Sequence, residues 1–578
     1  MLTINNKYVL FFVLIVLSII AYYPSFSVPF YLDDFESIAN NTLLKTGTWL
    51  NAYNTEPSRW VGVFSFKLNF LLFGENISAL HGINLAIHLV NTLLTFLLLK
   101  TLLTLSSKQQ HDTYNTFYIA LLGAAVFALH PLNTQAVTYI VQRYASLATL
   151  FFLLSLLSYL KARTATTNLK TAAFSLLCFI TFLLAFFTKQ NTITLLAVLA
   201  VFELALFNKI KISSAFKAFG VALLLGVILY LIDFDQVNQI ANKIDNLTRE
   251  TDQYTRFEYL TMQFNVLWVY IGKWLMPIWL RLEYPFNETS FTTFSAVIAG
   301  LAHLVVFSCS LIFIKKKPLI ACGALFFYIT HSVESGFVPI KDVAFEHRNY
   351  LPSIGLCMIL VGVVTSFKIN RNYFIATSLP VIILLTGATF LRNQLWQDPI
   401  AFYQNELKLE ANNLRVRTNL AYSLEQQGKQ TLADEQYAII DSIIQSNERK
   451  IGLTSTVLNN VFGWHMRTGN TTRANSIANR VFESEERKPW LLAKLHYGLG
   501  RIAMHERNAD VALDNFKKAT QLQPEEAIYW IELTKAFGIK GQLKKAQNAI
   551  KKATKLQPNN QEIKRLQQLI ESSLATHK

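Results

Sequence analysis

Cysteine, acidic residues and charge in general are scarce in this chain of 578 residues. Its four cysteines lie in apolar segments without the spacing of metal ligands, which argues against a cysteine metal site and favours packing roles. Only 16% of the residues are charged, whereas 52% are hydrophobic, and this excludes an ordinary soluble protein of this size. The length also predicts at least two domains.

The shortage of acidic residues leaves a net charge of +16, which raises the question of nucleic-acid binding. No base-reading motif accompanies the charge, and much of the Lys and Arg lies in short loops between apolar blocks. Basic loops of this kind set the orientation of membrane proteins. We therefore predict a membrane protein that does not bind nucleic acid.

Long apolar blocks continue to about residue 391, and amphipathic helical patterns follow. A helix needs roughly 20 apolar residues to cross a bilayer. The first block, near 8–23, lacks a small-residue cleavage site and is interpreted as an uncleaved span. The other predicted spans lie near 81–104, 116–130, 145–160, 171–187, 191–207, 217–232, 293–314, 318–333, 350–367 and 373–391.

The basic loops place the N-terminus in the cytoplasm, provided that residues 259–283 do not cross the membrane. We predict that this segment lies on the outer membrane surface, with Trp268, Trp274 and Trp279 as interfacial anchors. About eleven spans result. The part of the chain after residue 391 is then expected outside the cytoplasm.

A repeat of 34 residues marks the last third of the chain, where DNFKKATQLQP (514–524) is followed by NAIKKATKLQP (548–558). This period is that of tetratricopeptide (TPR) repeats. Weaker units run over about 415–447 and 455–486, and a polar capping helix covers about 560–577. We predict an all-α chain: a polytopic helical membrane domain (1–391), a linker with a first helix (392–414) and a TPR α-solenoid (415–578).

Polar residues collect in the loops that the topology places outside the cytoplasm. Ionisable groups beside a bilayer are costly, so such clusters are functional candidates. A general base for an acceptor hydroxyl and cations for a phosphate leaving group are the chemistry these types supply. The candidates are Asp33 and Asp34 for catalysis, and Arg59, Arg143, Lys189, Glu346, His347 and Arg348 for substrate or phosphate binding.

Several segments together resemble the transmembrane-and-TPR (TMTC-like) proteins of the GT-C class of glycosyltransferases. The matching pieces are YLDDF (31–35), LHGINLAIHLVN (80–91), HPLNTQAVTYIVQRYASLATLFFLLSLLSYL (130–160), FTKQNTITLLAVLAVFEL (187–204), EHRNYLPSIG (346–355) and RNQLWQD (392–398). The sequences of these pieces resemble those of bacterial members more than those of animal members. One departure lies at Arg59, which is followed by Trp-Val-Gly where a proline is expected.

The resemblance implies transfer of a sugar from a polyprenyl-phosphate carrier to an acceptor, the hydroxyl of an exported protein. The protein would lie in a bacterial inner membrane, and the reaction would take place on its periplasmic side. By similarity, Asp33 or Asp34 is the catalytic base or a metal contact. The resemblance therefore allows a divalent metal ion as cofactor, and no other cofactor is expected. The TPR repeats would bind the acceptor or a protein partner. Two alternatives remain: an O-antigen-type glycan ligase or polymerase, and a non-enzymatic membrane-anchored TPR scaffold for envelope assembly.

Overall fold

A computed structural model describes residues 4–106, 113–207, 254–284, 292–336, 339–340, 342–367, 370–446, 453–483 and 488–576. The chain divides into two compact units, Met1–Phe402 and Tyr403–Lys578. Within the described ranges the secondary structure is helical, apart from one isolated bridge between Tyr284 and Ala344. The predicted all-α fold class is therefore confirmed.

The first unit is built from helices of very different lengths. Short turns of 3₁₀ or π helix join several of them, among them Phe35–Ala39, Ile140–Gln142 and Glu346–Asn349. The helices are α1 (Ile4–Tyr22), α2 (Thr42–Thr46), α3 (Trp49–Thr55), α4 (Trp60–Phe73), α5 (Ile77–Ser106), α6 (Thr113–Leu129), α7 (Thr134–Thr138), α8 (Arg143–Thr164), α9 (Asn168–Phe186), α10 (Leu195–Phe202), α11 (Arg256–Leu275), α12 (Thr293–Phe313), α13 (Pro318–His331), α14 (Ser353–Val364) and α15 (Arg371–Trp396).

Seven helical segments of the described residues are long and apolar enough to cross a bilayer. In hydrocarbon every backbone polar group must be satisfied within the segment, so such a sequence folds as a helix. The seven segments are Lys7–Ser27, Ile77–Ser106, Ile140–Thr164, Asn168–Phe186, Gln190–Phe207, Thr293–Phe313 and Tyr373–Trp396. The chain is thus a multi-pass membrane protein.

The other predicted spans have different outcomes. The span near 116–130 continues into a second short helix with a bend of 49°, and the two form an eighth span if counted together. The spans near 318–333 and 350–367 coincide with α13 and α14, which are apolar but short. The span near 217–232 lies outside the described residues. A total of eleven spans therefore stays a prediction.

The segment around α11 packs against parts of the first unit that precede and follow it in the chain. The side chain of Trp268 stacks on His303, with ring centroids 4.6 Å apart, and that of Trp274 stacks on His130 at 5.8 Å. Trp279 alone of the three predicted anchors is largely exposed, at 68%. Two of the three tryptophans therefore contact the protein itself. The position of α11 relative to a membrane stays a prediction.

Polar side chains inside the first unit are paired with one another. His88 lies between the Tyr350 hydroxyl, 2.7 Å from Nδ1, and the Ala128 carbonyl, 2.9 Å from Nε2. The Glu203 carboxylate accepts two hydrogen bonds from the Arg163 guanidinium, at 2.7 and 2.8 Å. Buried polar groups must be satisfied in this way. These contacts give His88 and Glu203 structural roles in the first unit.

In the described residues of the second unit, from Leu414 onward, the helices form four pairs and a final helix. The pairs coincide with the predicted repeats, and the final helix coincides with the predicted cap. The helices are α16 (Pro399–Leu409), which crosses the division between the units, then α17 (Leu414–Gln426), α18 (Gln430–Gln445), α19 (Ser455–Thr468), α20 (Thr471–Glu483), α21 (Pro489–His505), α22 (Ala509–Leu522), α23 (Ala527–Ile539), α24 (Leu543–Leu556) and α25 (Gln561–Thr576).

Small residues allow the paired helices to approach closely. Ala512, Ala519, Ala546 and Ala553 are fully buried, at the positions where the repeat requires small side chains. Gly469 ends α19 in the left-handed conformation, with φ +77°, which a residue without Cβ adopts at no steric cost. Each repeat therefore buries its apolar stripe against its neighbours.

We expect Gly500→Ala to lower the free energy of unfolding of the solenoid. A Cβ at Gly500 would lie 2.5 Å from Cε1 of Phe516, and overpacking of this kind costs about 1–3 kcal/mol. The matched control is Gly538→Ala, where no atom lies within 4 Å of the new Cβ and helix propensity gains up to about 1 kcal/mol. Thermal unfolding of the full chain in detergent measures both. Equal midpoints for the two variants would contradict the close approach.

Candidate functional site

Asp34 joins the first loop to the turn that precedes α8. Its Oδ1 accepts a hydrogen bond from the Val141 N–H at 2.7 Å, and its Oδ2 accepts one from the Tyr31 N–H at 3.1 Å. The side chain is only 1% exposed. Burial raises the pKa of this carboxyl to about 8, against the opposing effect of the two backbone donors. Asp34 therefore fixes the loop and is closed to a substrate.

Asp33 lies beside this anchor with its side chain exposed. Its backbone N–H donates to the Tyr139 hydroxyl at 2.9 Å, so its main chain is held on the same turn. The carboxylate itself faces solvent and can meet an acceptor hydroxyl. Of the two predicted catalytic residues, Asp33 is the accessible one.

The same loop is held from a second direction by the end of α15. The Tyr31 hydroxyl donates to the Trp396 carbonyl at 2.7 Å, and the two rings pack with centroids 4.9 Å apart. Trp396 is fully buried. Aromatic rings held by a hydrogen bond at one end make a rigid contact. Asp33 is thus presented from a fixed backbone.

Helix α7 connects this region to the loop before α14. The Gln135 Oε1 accepts from the His347 N–H at 2.8 Å and lies 3.0 Å from His347 Nδ1. Because α7 runs directly into the turn that binds Asp34, one continuous segment supports both the acidic loop and His347. The predicted grouping of these loops at one end of the helices is therefore supported by direct contacts.

A buried ion pair lies next to His347. The Lys189 Nζ is 2.6 Å from Glu334 Oε1, and each side chain is 12% exposed. Burial opposes ionisation of Glu334, but the charges of Lys189 and Arg348 outweigh it and lower the pKa to about 2. Glu334 is therefore ionised at neutral pH. Together with Thr149, these side chains line one small cavity.

His347 and Arg348 enter this cavity in different charge states. Burial, reinforced by the charges of Lys189 and Arg348, lowers the pKa of His347 well below its ordinary value, so the imidazole is neutral. Burial opposes the charge of Arg348, but Tyr259, Tyr270, Glu334 and Asp342 raise its pKa. Arg348 is thus a permanent cation, whereas His347 can only contribute hydrogen bonds. Lys341, from the same loop, lies outside the described residues.

Arg59 lies at the edge of this group. Its guanidinium is 3.3 Å from the Glu56 carboxylate, and its Nε donates to Gln190 Oε1 at 3.5 Å. Gln190 in turn donates to the Ser58 carbonyl at 2.7 Å. The residue after Lys189 therefore binds the turn that carries Arg59. The absence of the expected proline does not separate Arg59 from the group.

Arg143 is not part of this group. It is fully buried, donates to Asn84 Oδ1 at 2.6 Å, to Asn69 Oδ1 at 3.0 Å and to the Leu80 carbonyl at 2.9 Å, and lies over the Phe66 ring. Five donors in a fixed fork suit such a junction of helices. The geometry supports a structural role and gives no support to the predicted phosphate contact.

Glu346 also has a different position from that expected. It is 1% exposed, accepts from the Arg281 N–H at 2.6 Å and the Tyr284 hydroxyl at 2.9 Å, and lies 3.6 Å from an Arg392 nitrogen. Its carboxylate faces these donors rather than the Lys189–Glu334 pair. Arg392 stands in the matching piece RNQLWQD, and no sequence pattern indicates its pairing with Glu346.

A divalent metal does not fit the acidic pair well. Both carboxylate oxygens of Asp34 accept backbone hydrogen bonds, which leaves Asp33 as the available ligand there. Among the described residues, no group of three or more His, Cys, Asp or Glu side chains could hold a metal ion. Metal sites need several ligands in defined geometry.

Fold and site together define a multi-pass membrane protein with a C-terminal tetratricopeptide solenoid. A family model described as tetratricopeptide repeat matches residues 529–560. The chain is also similar to named proteins. The Protein O-mannosyl-transferase F38B6.6 of Caenorhabditis elegans is 24% identical over 74% of this chain and 61% of its own length.

Two further relatives are similar over comparable regions. The human Protein O-mannosyl-transferase TMTC3 is 24% identical over 88% of this chain and 58% of its own length. The mouse Protein O-mannosyl-transferase TMTC4 is 25% identical over 73% and 64%. The chain thus spans less than two thirds of the length of these relatives. The resemblance to transmembrane-and-TPR proteins is confirmed.

We expect Asp34→Ala to destabilise the fold and Asp33→Ala to leave its stability unchanged. Asp34→Ala leaves the buried N–H groups of Tyr31 and Val141 without a hydrogen-bond acceptor, and each loss costs about 1–3 kcal/mol. Since the pKa of Asp34 is raised in the fold, its proton-linked stabilisation is complete below its ordinary value of 3.8 and is lost as pH rises to about 8. Thermal unfolding in detergent at several pH values tests this. Equal destabilisation by the two variants would contradict the anchoring role.

We expect Glu334→Gln to cost about 3–5 kcal/mol, because it leaves the Lys189 ammonium buried without a counter-charge. The double variant Glu334→Gln with Lys189→Met removes both charges and should recover much of this loss. Because the pKa of Glu334 is depressed, its contribution holds above 4.5 and is lost only as pH falls towards 2. The unfolding midpoints of the unaltered chain, the two single variants Glu334→Gln and Lys189→Met, and the double variant form the test. Additive effects of the two substitutions would argue against the pair.

Proposed function

We propose that this protein is a membrane glycosyltransferase that moves a sugar from a polyprenyl-phosphate carrier to the hydroxyl of an exported protein. The single observation that supports the proposal is the set of contacts that α7 and the turn after it make with two loops. The turn after α7 contacts the loop that carries the exposed Asp33, and Gln135 of α7 contacts His347, which lines the same cavity as Lys189 and Arg348. A base and a phosphate-binding group are the two parts that this transfer requires.

Asp33 is the proposed base. It accepts the proton of the acceptor hydroxyl while the oxygen attacks the anomeric carbon of the donor from the face opposite the phosphate. The bond between the anomeric carbon and the phosphate oxygen breaks as the new glycosidic bond forms, with inversion. Polyprenyl phosphate leaves with the bonding electron pair, and the proton stays on Asp33 until solvent removes it.

Arg348 and Lys189 are the proposed phosphate-binding groups. Arg348 lines the cavity as a permanent cation whose two terminal nitrogens also donate to the Val343 and Asp342 carbonyls, at 3.2 and 2.6 Å, and Lys189 supplies a point charge. The neutral imidazole of His347 would donate or accept a hydrogen bond, and Arg59 would meet the donor at the rim. This assignment departs from the expectation that His347 acts as a cation. Arg143 and Glu346 keep the structural contacts described above.

The TPR solenoid is the proposed acceptor-binding part. TPR stacks bind extended peptides or other proteins through their repeated helices and carry no catalytic residues by default. The relatives are named as protein O-mannosyl-transferases, so mannose is the first sugar to test. The proposed location is a bacterial inner membrane, with the N-terminus in the cytoplasm and the solenoid in the periplasm, following the basic loops.

Asp33→Asn should lower the transfer rate by about 10²–10⁴-fold, because a general base contributes this much. The assay follows labelled mannose from polyprenyl-phosphate mannose to exported protein in proteoliposomes, with glycopeptide mass spectrometry as the readout. The matched control is Glu36→Gln, which removes a second exposed carboxylate of the same loop. Full activity of Asp33→Asn in folded, inserted protein would refute the assignment of the base.

Transfer of a whole glycan instead of one sugar would favour the ligase or polymerase. If cells that carry Asp33→Asn or Glu36→Gln behave as cells with the unaltered chain do, and only variants in the solenoid lose function, the scaffold is supported instead.

A further inference from the structure

Helix α24 carries five lysines and no acidic residue within its 14 positions. Its apolar side, which includes Ala546, Ala549 and Ile550, is buried in the solenoid. The lysines occupy the opposite side, and each of them is exposed. They are Lys544, Lys545, Lys551, Lys552 and Lys555. Like charges at helical spacing repel one another, so this arrangement costs the helix some stability.

Helix α22 extends the same surface into the preceding repeat. Lys517 and Lys518 stand one repeat before Lys551 and Lys552, and both are exposed. The ammonium groups of Lys517 and Lys545 approach the same ring, that of Phe537, at 5.8 and 6.0 Å from its centroid. The lysines of the two helices therefore form one surface. Lys518 pairs with Asp514 at 2.8 Å, so the basic face consists of Lys517, Lys544, Lys545, Lys551, Lys552 and Lys555.

The basic face is not a general property of the solenoid. The corresponding helix of the first repeat, α18, contains no Lys or Arg and three acidic residues. Two of these already have partners, since Asp434 pairs with Arg467 and Asp441 pairs with Arg473. The acidic helix of a second copy is thus largely neutralised and offers little to the basic face. An external anionic partner fits better.

We propose that the basic face binds the anionic headgroups of a phospholipid bilayer. Specific protein interfaces are depleted in Lys and enriched in aromatic residues and Arg, whereas this surface is lysine and contains one buried ring. Clusters of four to eight basic residues near a membrane are typical of binding to anionic lipids. The same chain carries the apolar helices described above, so the protein is anchored in a bilayer. The inference goes beyond the proposed transfer reaction and does not depend on it.

The test uses the full chain in nanodiscs of neutral phosphatidylcholine, mixed with sucrose-loaded vesicles. We expect it to sediment with vesicles that contain phosphatidylglycerol and not with vesicles of phosphatidylcholine alone. Added salt should weaken the binding, because the contact is electrostatic. Replacing the five lysines of α24 by Gln (K544Q, K545Q, K551Q, K552Q and K555Q) should weaken it by at least about tenfold, since each lysine contributes roughly fivefold.

The matched control replaces the same five lysines by Arg and keeps both charge and helix propensity, so it should sediment as the unaltered chain does. The double variant K551Q/K552Q gives an intermediate loss and guards against misfolding of the larger variant, which circular dichroism checks. Binding that does not depend on phosphatidylglycerol, or that survives the Gln substitutions, would overturn the proposal. Capture of an acidic protein with the same lysine dependence, but no lipid binding, would replace it with a protein partner.

Discussion

The two hydrogen bonds that the Asp34 carboxyl accepts hold the loop side of the membrane unit together. The bond from the Tyr31 N–H lies within the segment after the first helix, and the bond from the Val141 N–H joins this segment to the turn before α8, more than a hundred residues later. That turn continues from α7, whose Gln135 binds His347. Without this junction, the acidic loop loses one of its contacts with the segment that also supports the loop before α14. The position of Asp33 therefore depends in part on a residue that takes no part in the chemistry.

Much of the architecture could be predicted from the sequence, because it follows from periodicity and from the length of apolar runs. The helix pairs of the solenoid lie where the 34-residue period places them, with Ala519 and Ala553 buried at equivalent positions. Span boundaries were less certain where helices are short or bent, as at α13 and α14. A hydropathy pattern reports what a segment can do alone, and short helices depend on their neighbours.

The candidate site was harder to predict, because residue type does not reveal the partner. Asp33 and Asp34 are adjacent and chemically identical, yet one is exposed and the other is buried against backbone donors. Arg143 looked like a phosphate ligand but is surrounded by amide and carbonyl oxygens of two other helices. The pairing of Lys189 with Glu334, and of Glu346 with Arg392, joins residues far apart in sequence. Only the three-dimensional contacts distinguish a ligand from a support.

The Lys189–Glu334 pair has a consequence for how an anion enters this cavity. A carboxylate already neutralises the ammonium, so an arriving anion does not fill an empty positive site but exchanges partners with a resident one. The free energy of such an exchange is the difference between two ion pairs, and the large cost of stripping water from a bare buried cation has already been met during folding. The geometry of the anion then decides which anion binds. A group with several oxygens that can contact Lys189 and Arg348 together has an advantage over a single carboxylate or chloride.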